Sequence, residues 1–490
     1  MTPTLARRAG AALIWRIGEF GGVKIIYLVR LLILARILAP EDFGLLAMSV
    51  ITLDVLLKVT DAGMVPALIQ HRTTRASDYD VAWTVGLLRA ALVTVVIVVA
   101  APWIAAAFDE PRAAGLMRLL ALVALLQGTM SIRLVDLQRD LRFRGLALVY
   151  VVEAVVNTVV AIALAPSLGV WALAIAPVVA AAAQTATSYA LAPSRPRLAF
   201  RRDALGPLVA YGRWIFLAGV VAVVGSSLVQ LVIARQLGAV ELGLYFIAAR
   251  LAFLPSSVSS EVVGAVAFPV FARLQDETEQ ARHAIRTSLL GLAAVVGPAS
   301  LLLIALAPAI VQHVLGASWT GAETLIMILA SVNLIGMTGD VLGPALKGLG
   351  APAAVVATGV TQYGLLVAFA WLLTGPLGVT GAALAWVPAV AVTQCVAIAL
   401  LRSHLPRPFA SISRPLLAIA GVSVVAAVAA RLTSDALPSQ AGLVAAFAAA
   451  AAAVVAGLRL ADRRSGLELG AQLKAAFPRI AALPRAGAGV

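Results

Sequence analysis

Long apolar stretches follow one another along almost the whole of this 490-residue chain. Each has close to, or more than, the roughly 20 residues that a helix needs to cross the hydrocarbon of a bilayer. Pro, Gly and charged residues separate them. They lie at 11–37, 43–69, 81–107, 114–134, 146–165, 170–191, 211–236, 243–270, 287–312, 322–346, 352–373, 379–401, 414–432 and 441–459. We therefore predict an all-α polytopic membrane protein with about 14 transmembrane helices.

The composition supports a membrane protein and argues against several other classes. Hydrophobic residues make up 62% of the chain and charged residues 12%, whereas a soluble domain holds roughly 25% charged residues. A net charge of +14 in a soluble chain would suggest nucleic acid, but basic cytoplasmic loops explain it better here. One cysteine and four scattered histidines show no metal-ligand spacing. We predict no nucleic-acid partner, no cofactor and no metal.

The Lys and Arg residues are divided unequally between the two sides of the predicted bundle. If the N-terminus is cytoplasmic, the opposite side receives little more than Arg36, Arg112, Arg118, Arg235 and Arg431. Cytoplasmic loops of membrane proteins carry the excess of Lys and Arg. This asymmetry, together with an even number of spans, predicts that both termini are cytoplasmic.

Reporter fusions test this topology. Fusions after Arg202 and after Val490 should behave as cytoplasmic, and a fusion after Asp109 should behave as periplasmic. The predicted topology places the first two positions on one side of the membrane and Asp109 on the other. An external signal from a fusion within 193–210 would contradict the topology.

A short motif occurs twice at the same register. Residues 32–46 read LILARILAPEDFGLL and residues 231–245 read LVIARQLGAVELGLY. Arg36 matches Arg235, Gly44 matches Gly243, and LGV recurs at 168–170 and 377–379. Six spans separate the two motifs, so both face the same side, which is typical of parallel repeats related by an axis along the membrane normal. We predict two parallel six-helix repeats around a central cavity, followed by two extra C-terminal helices.

These repeats define the predicted organisation. An N-terminal six-helix lobe covers 1–192, a basic cytoplasmic link lying at the membrane interface covers 193–210, and a second six-helix lobe covers 211–402. Two additional helices follow at 403–460, and a basic cytoplasmic tail occupies 461–490.

Charged residues inside the spans mark the candidate site, because a charge in hydrocarbon is costly and usually faces a cavity. A guanidinium also suits phosphate, since its donors form a planar fork. The cations that we expect to face the cavity and bind substrate are Arg16, Lys24, Arg30, Lys58, Arg89 and Arg250. Two alternatives stay open: Arg16 and Arg89 lie near span ends and could extend to the interface, and Asp54 could pair with Lys58 within one helix.

The sequence resembles the lipopolysaccharide or polysaccharide biosynthesis flippases of the Wzx type, the O-antigen and colanic-acid branch of the multidrug/oligosaccharidyl-lipid/polysaccharide exporter superfamily. Three segments carry the resemblance, which covers roughly 1–410: RLLILARILAPEDFGLLAM (30–48), DAGMVPALIQ (61–70) and LQRDLRFRGLALVYVVEAVVNTVVAIALA (137–165). It implies two lobes around a cationic cavity in the bacterial cytoplasmic (inner) membrane. It also implies movement of an undecaprenyl-pyrophosphate-linked oligosaccharide to the periplasmic leaflet by alternating access.

This function suggests roles for the other polar residues of the spans. Candidate sugar contacts are Asn157, Asn333 and Gln362. Candidate sites for a coupling proton or sodium ion are Glu19, Asp54, Asp61, Glu153, Glu261 and Asp340. The expected partners are the lipid-linked oligosaccharide, membrane lipids, and a polysaccharide polymerase with glycosyltransferases.

Two other functions make different demands on the sequence. A multidrug exporter of the same superfamily binds cations and should have a predominantly acidic cavity, whereas this chain places more bases there. A membrane polymerase or ligase usually displays a long outer loop, and every predicted outer connection is short. No nucleophile–base arrangement is visible in the loops, so we predict no catalytic residues and no enzyme activity.

Overall fold

The computed structural model describes residues 3–61, 68, 75–140, 142–199, 206–257, 260, 267, 270, 271, 274, 275, 277–406, 409 and 412–465. Fourteen long helices make up most of this part of the chain, and each overlaps one of the fourteen predicted stretches. They are α1 (Pro3–Ile37), α2 (Pro40–Val59), α3 (Ala76–Ala107), α4 (Ala113–Gly128), α5 (Phe143–Leu168), α6 (Val170–Leu191), α7 (Gly206–Leu237), α8 (Ala239–Ala252), α9 (Thr278–Ile310), α10 (Ala322–Gly348), α11 (Pro352–Leu377), α12 (in two pieces, Val379–Leu384 and Trp386–His404), α13 (Ser413–Ala436) and α14 (Gln440–Ser465). The predicted all-α polytopic fold is confirmed.

The helices have the length and surface of a multi-pass membrane protein. Within the described residues, ten helices are each long and apolar enough to cross a membrane, and α4 is a shorter apolar helix. Their outward faces carry exposed apolar side chains such as Val99 on α3 and Leu417 and Leu432 on α13. So much exposed apolar surface is unusual on a soluble monomer and suits contact with lipid.

The two halves pack their helices in the same order. In the first half α1 packs on α5, α3 on α4, α5 on α6, and α4 contacts both α2 and α6. In the second half the equivalent pairs are α7 with α11, α9 with α10, α11 with α12, and α10 with both α8 and α12. The repeat in the sequence therefore corresponds to a repeat in the packing, while α13 and α14 pack on each other and on α9.

The repeated LGV sequences form equivalent turns in the two halves. Gly169 joins α5 to α6 with a φ of 55°, and Gly378 joins α11 to α12 with a φ of 61°. Positive φ costs little only for glycine, because it has no Cβ to meet the backbone. The same constraint thus recurs at the same point of each repeat.

The two copies of the longer motif meet at one end of the bundle, which we call the repeat end. There α2 and α8 cross so closely that a Cβ built on Gly44 would lie 1.9 Å from the carbonyl oxygen of Ala239. A Cβ built on Gly243 would lie 1.7 Å from the carbonyl oxygen of Pro40. Each repeated glycine therefore touches the backbone of the other half, and glycine is needed at both places.

The repeated arginines also reach across the halves at this end. Arg36, at the end of α1, donates hydrogen bonds to the carbonyls of His313 and Val314, which follow α9. Arg235, at the end of α7, lies 3.9 Å from the carboxylate of Asp109, which follows α3. Since α3 and α9 are equivalent helices, each arginine contacts the corresponding corner of the opposite half.

Buried aromatic packing reinforces the repeat end. Trp319, fully buried between α9 and α10, donates from Nε1 to the carbonyl of Ala35 at 2.7 Å. Its ring meets that of Phe43 edge to face, with centroids 5.3 Å apart. Nearby, the Arg112 guanidinium hydrogen-bonds Glu110 and lowers the pKa of that carboxyl. The closed end is thus packed as well as hydrogen-bonded.

The predicted link between the lobes begins as an extended segment held against α3. The backbone N–H of Arg197 donates to Asp80 at 3.1 Å, and the N–H of Ala199 donates to the Thr84 hydroxyl at 3.0 Å. Residues 200–205 of the link lie outside the described residues. The boundaries of the lobes and the interfacial position of the link stay predictions.

Candidate functional site

A central cavity of about 860 Å³ lies between the two halves. Its walls come from α1, α2, α5 and α6 of the first half and from α7, α8 and α12 of the second. The volume is near the upper end of the roughly 300–1,000 Å³ typical of ligand sites. Three predicted cations line it, namely Lys24, Arg30 and Arg250, together with Glu153 and Asn157.

The first-half wall carries a hydrogen-bonded acidic cluster. The Tyr27 hydroxyl on α1 lies 2.7 and 2.6 Å from the two carboxylate oxygens of Glu153 on α5. One turn further along α5, the Asn157 side chain donates to Glu153 Oε1 at 3.2 Å. These contacts fix the carboxylate and join α5 to α1, which pack along their length. The cluster is therefore part of the wall as well as of the cavity surface.

Arg30 lies beside this cluster, and of the first-half cations it is the one best placed to bind a ligand. Its guanidinium lies over the Tyr27 ring, 5.9 Å from the centroid. Its Nε is buried and finds no hydrogen-bond partner in the described part of the chain. A buried donor without a partner is costly, so an acceptor entering the cavity would be favoured here. Lys24, one turn from Tyr27, lies over the Phe20 ring at 5.2 Å.

Arg250 projects from the opposite wall. It lies near the end of α8 with its guanidinium over the Phe246 ring, 4.9 Å from the centroid, and its side chain is exposed to the cavity. Asp54 on α2 attracts it, while Arg30 on α1 and Arg250 repel each other. Two like charges directed into one cavity are stabilised by an anion between them. The two predicted arginines therefore share the central cavity.

A smaller cavity of about 380 Å³ adjoins the first along the seam between α2, α3 and α7. It shares Ser226 and Gln230 with the central cavity. Four predicted site residues line it: Asp54, Lys58, Asp61 and Arg89. The guanidinium of Arg89 donates to the Thr60 hydroxyl at 3.0 Å and to the carbonyl of Leu57, and it lies 4.0 Å from Asp61. Because Arg89 makes these contacts, it joins α3 to the end of α2 and is not a free cation.

The remaining predicted residues do not line the central cavity or lie outside the described residues. Asn333, Gln362 and Asp340 line a third cavity within the second half. The Asn333 side chain donates to the carbonyl of Ala252, where α8 ends. The three proposed sugar contacts are thus not brought together. The side chains of Arg16 and Glu19, and all of Glu261, lie outside the described residues.

Aromatic residues of the cavity were not predicted from the sequence. Tyr27, Tyr245, Phe246, Phe253 and Trp386 line it, and the Trp386 Nε1 donates to the Tyr245 hydroxyl at 2.8 Å. Aromatic residues are only 6% of the chain. Tyr and Trp inside the predicted spans are therefore a signal from which these cavity residues could have been found.

The sequence comparisons place the chain in a family. A family model described as "Polysaccharide biosynthesis protein" matches residues 33–324, and the chain belongs to that family. The succinoglycan biosynthesis transport protein ExoT of Rhizobium meliloti (strain 1021) is 28% identical over 76% of this chain and 78% of its own length. The lipopolysaccharide biosynthesis protein WzxC of Escherichia coli (strain K12) is 25% identical over 65% of each chain.

Solved structures share the fold. The lipid II flippase MurJ in an inward closed conformation superposes with a TM-score of 0.75, at 12% identity, over 92% of this chain and 99% of its own. An inward-facing multidrug resistance MATE family transporter of the MOP superfamily gives 0.60, at 17% identity, over 79% and 95%. The superpositions establish the architecture. The sequence identities are too low to assign the function of these two proteins to this chain.

Proposed function

We propose that this protein is a flippase that moves an undecaprenyl-pyrophosphate-linked oligosaccharide from the cytoplasmic to the periplasmic leaflet by alternating access. The observation that carries the proposal is the central cavity, which Arg30 and Arg250 line from opposite halves. Membership of the polysaccharide biosynthesis family and the transport names of its relatives support it.

In this proposal Arg30 and Arg250 hold the pyrophosphate between the halves. A pyrophosphate cannot cross hydrocarbon without replacing its hydration, and guanidinium groups supply directed, charge-assisted hydrogen bonds. The unpartnered Arg30 Nε and the exposed Arg250 guanidinium are suited to this role. Lys24 adds a third positive charge on the same wall as Arg30.

The lipid tail requires an opening from the cavity to the membrane, and the packing of the halves suggests where it lies. The described parts of α2 and α7 pack together, whereas the equivalent pair, α1 and α8, shares at most slight contact in those parts. Within the described residues, the two-fold arrangement is therefore broken along one seam. We propose that the tail stays in the bilayer and passes between α1 and α8.

The proposed setting is the bacterial cytoplasmic (inner) membrane with both termini in the cytoplasm, as the Lys and Arg asymmetry suggests. The repeat end then faces the periplasm. Polysaccharide polymerase and glycosyltransferases would be partners, since they consume and supply the lipid-linked oligosaccharide. Transport without catalysis is part of the same proposal.

Carboxylates on the helices that line the cavities are candidates for coupling transport to a proton or sodium gradient. Glu153 is tied to Tyr27 and Asn157, while Asp54 faces Arg250. Asp61 is paired with Arg89. Substrate binding would change the electrostatic environment of both Asp54 and Glu153, because the phosphate would compete for Arg250 and Arg30.

Proteoliposomes containing the purified protein test the function. A fluorescent polyprenyl-pyrophosphate oligosaccharide should change leaflets faster than in protein-free vesicles, and a cationic dye should not be exported. We expect this difference between the two compounds because the arginines of the cavity attract an anion and repel a cation. Export of the dye without movement of the lipid-linked sugar would favour a multidrug exporter.

A further inference from the structure

The third cavity, of about 460 Å³, adjoins the central one inside the second half, because Phe253, Ser257 and Trp386 line both. We call it the annex. Its other walls come from α7, α10, α11 and α12 and from Ser256 and Ser260, which follow α8. The volume lies within the range of small-molecule sites and is far larger than a single bare cation needs.

Glycines create this space. Gly336, Gly339 and Gly343 lie three and four residues apart on α10, so they share one helix face, and all three line the annex. A Cβ built on Gly339 would lie 2.8 Å from the Gln394 amide, whereas one built on Gly343 would meet nothing within 4 Å. The annex is thus an open space beside Gly343, bounded closely at Gly339.

Polar groups converge on this space from three helices. Among the described residues that line the annex, Asp340 on α10 is the only charged one, and the Ser260 hydroxyl lies beside it. Gln394 on α12 is 8% exposed, and its Oε1 has no hydrogen-bond partner within the described chain. Gln362 on α11 adds a further amide. Acceptors and donors are therefore both available, with one carboxylate.

An aromatic wall stands where the annex meets the central cavity. The rings of Phe253 and Trp386 are 5.3 Å apart, and Tyr363 meets Trp386 edge to face with centroids 6.4 Å apart. Trp386 is held in place by its hydrogen bond to Tyr245. Such rings offer flat apolar faces with a fixed orientation.

We propose that the annex is a binding subsite for a neutral sugar of the lipid-linked oligosaccharide, an inference that rests on the proposed flippase function. A pyranose ring presents C–H groups on its faces and hydroxyls around its edge, which match an aromatic wall and a ring of polar acceptors. Asp340 and Gln394 accept hydrogen bonds from neighbouring hydroxyls, and the ring packs on Trp386. An acidic sugar is disfavoured, because its carboxylate would face Asp340 with no cation among the described residues that line the annex.

This subsite also sets the orientation of the substrate. The pyrophosphate lies between Arg30 and Arg250, and the sugars extend from it into the second half. The first half instead has Glu153 on its wall, tied to Tyr27 and Asn157. The two halves are therefore alike in helix packing and different in what they bind.

Filling the annex tests the subsite. Gly343→Leu places a side chain in open space, and leucine is a good helix former, so the fold should tolerate it. The matched control is Gly364→Leu on α11, where a Cβ also meets nothing within 4 Å and the residue lines none of the three cavities described. Binding to polyprenyl-pyrophosphate oligosaccharide and to sugar-free polyprenyl pyrophosphate would be compared by native mass spectrometry, and leaflet transfer would be followed in proteoliposomes.

We expect Gly343→Leu to weaken binding and transfer of the oligosaccharide by at least about tenfold, equivalent to about 1.4 kcal/mol, with sugar-free pyrophosphate binding and the Gly364→Leu control unchanged. Asp340→Asn should reduce the preference for neutral over acidic sugars. If Gly343→Leu handles the oligosaccharide like the wild type while the wild type flips it, the subsite is wrong and the flippase function stands.

Two other outcomes would overturn the proposal differently. If Asp340→Asn removes a sodium or pH dependence of transport without changing sugar preference, the annex is a cation site. If the wild-type protein neither binds nor transfers any lipid-linked oligosaccharide, the proposed function fails and the subsite fails with it.

Discussion

Gly243→Ala is expected to hold the repeat end open and to reduce transport severely. Alanine normally stabilises a helix relative to glycine by roughly 0.5–1 kcal/mol, so any loss must come from the contact between the halves. The added Cβ would lie 1.7 Å from the Pro40 carbonyl oxygen, which is backbone and cannot rotate away. Overpacking costs roughly 1–3 kcal/mol, which would shift the balance of closed and open states by about 5–150-fold.

Thiol labelling measures this shift. In a Cys395→Ser background, which removes the single native cysteine, Val50→Cys places a thiol on the lining of the central cavity. A membrane-impermeant maleimide added from the periplasmic side should react faster after Gly243→Ala, because the closed repeat end no longer covers the cavity. Gly44→Ala should act in the same direction, since its Cβ would meet the Ala239 carbonyl at 1.9 Å.

The control is Gly291→Ala on α9, where a Cβ meets nothing within 4 Å. It should leave both labelling and transport unchanged. Equal labelling rates in Gly243→Ala, Gly44→Ala and the control would show that closure of the repeat end does not depend on the glycine crossing.

Arg250→Ala is expected to lower transfer of the lipid-linked oligosaccharide by about ten- to a hundredfold. A hydrogen bond to a charged group contributes roughly 1.5–3 kcal/mol, and that range corresponds to this loss in binding. Arg250→Lys should recover part of the activity, because the charge remains while the planar fork is lost. Arg30→Ala should act like Arg250→Ala, and the double variant should lose more than either.

Arg431→Ala provides the matched control, because Arg431 lies on α13 and pairs with Asp435 at 3.0 Å away from the cavity. Thermal stability and detergent extraction would be compared for all variants, since Asp54 loses its opposing charge when Arg250 is removed. Wild-type transfer by both Arg30→Ala and Arg250→Ala would show that the arginines have a structural role and that the cationic cavity does not hold the pyrophosphate.

The sequence predicted the fold well because membrane spans and repeats are local or periodic signals. Fourteen stretches became fourteen long helices in the described chain, and the motif at 32–46 and 231–245 indicated two equivalent halves. The sequence did not show what that motif does in the fold. Arg36 could be read as a favourable charge at a helix C-terminus, yet its partners are carbonyls about 280 residues away, at His313 and Val314.

The candidate site was predicted in part for the same reason. A charge inside a span predicted that Arg30 faces the cavity, but the sequence could not show that Tyr27 binds Glu153 or that the Asn333 side chain donates to the Ala252 carbonyl. Those partners depend on how two helices are rotated against each other. The sequence predicted site roles for Asn333, Gln362 and Asp340, which line the annex, but it did not predict the cavity itself. Three glycines on α10 leave that space, and a glycine face can equally pack against a helix.

The contacts at the repeat end are those of an isologous dimer contained in one chain. Gly44 touches Ala239 and Gly243 touches Pro40, while each arginine reaches the matching corner of the opposite half. In a symmetric dimer of identical subunits, residue i contacts j and j contacts i in this way. Fusion into one polypeptide allows the interior to become unlike on its two sides while the self-complementary contact is retained. A ligand without symmetry, charged at one end and sugar-bearing at the other, can then contact different side chains in the two halves.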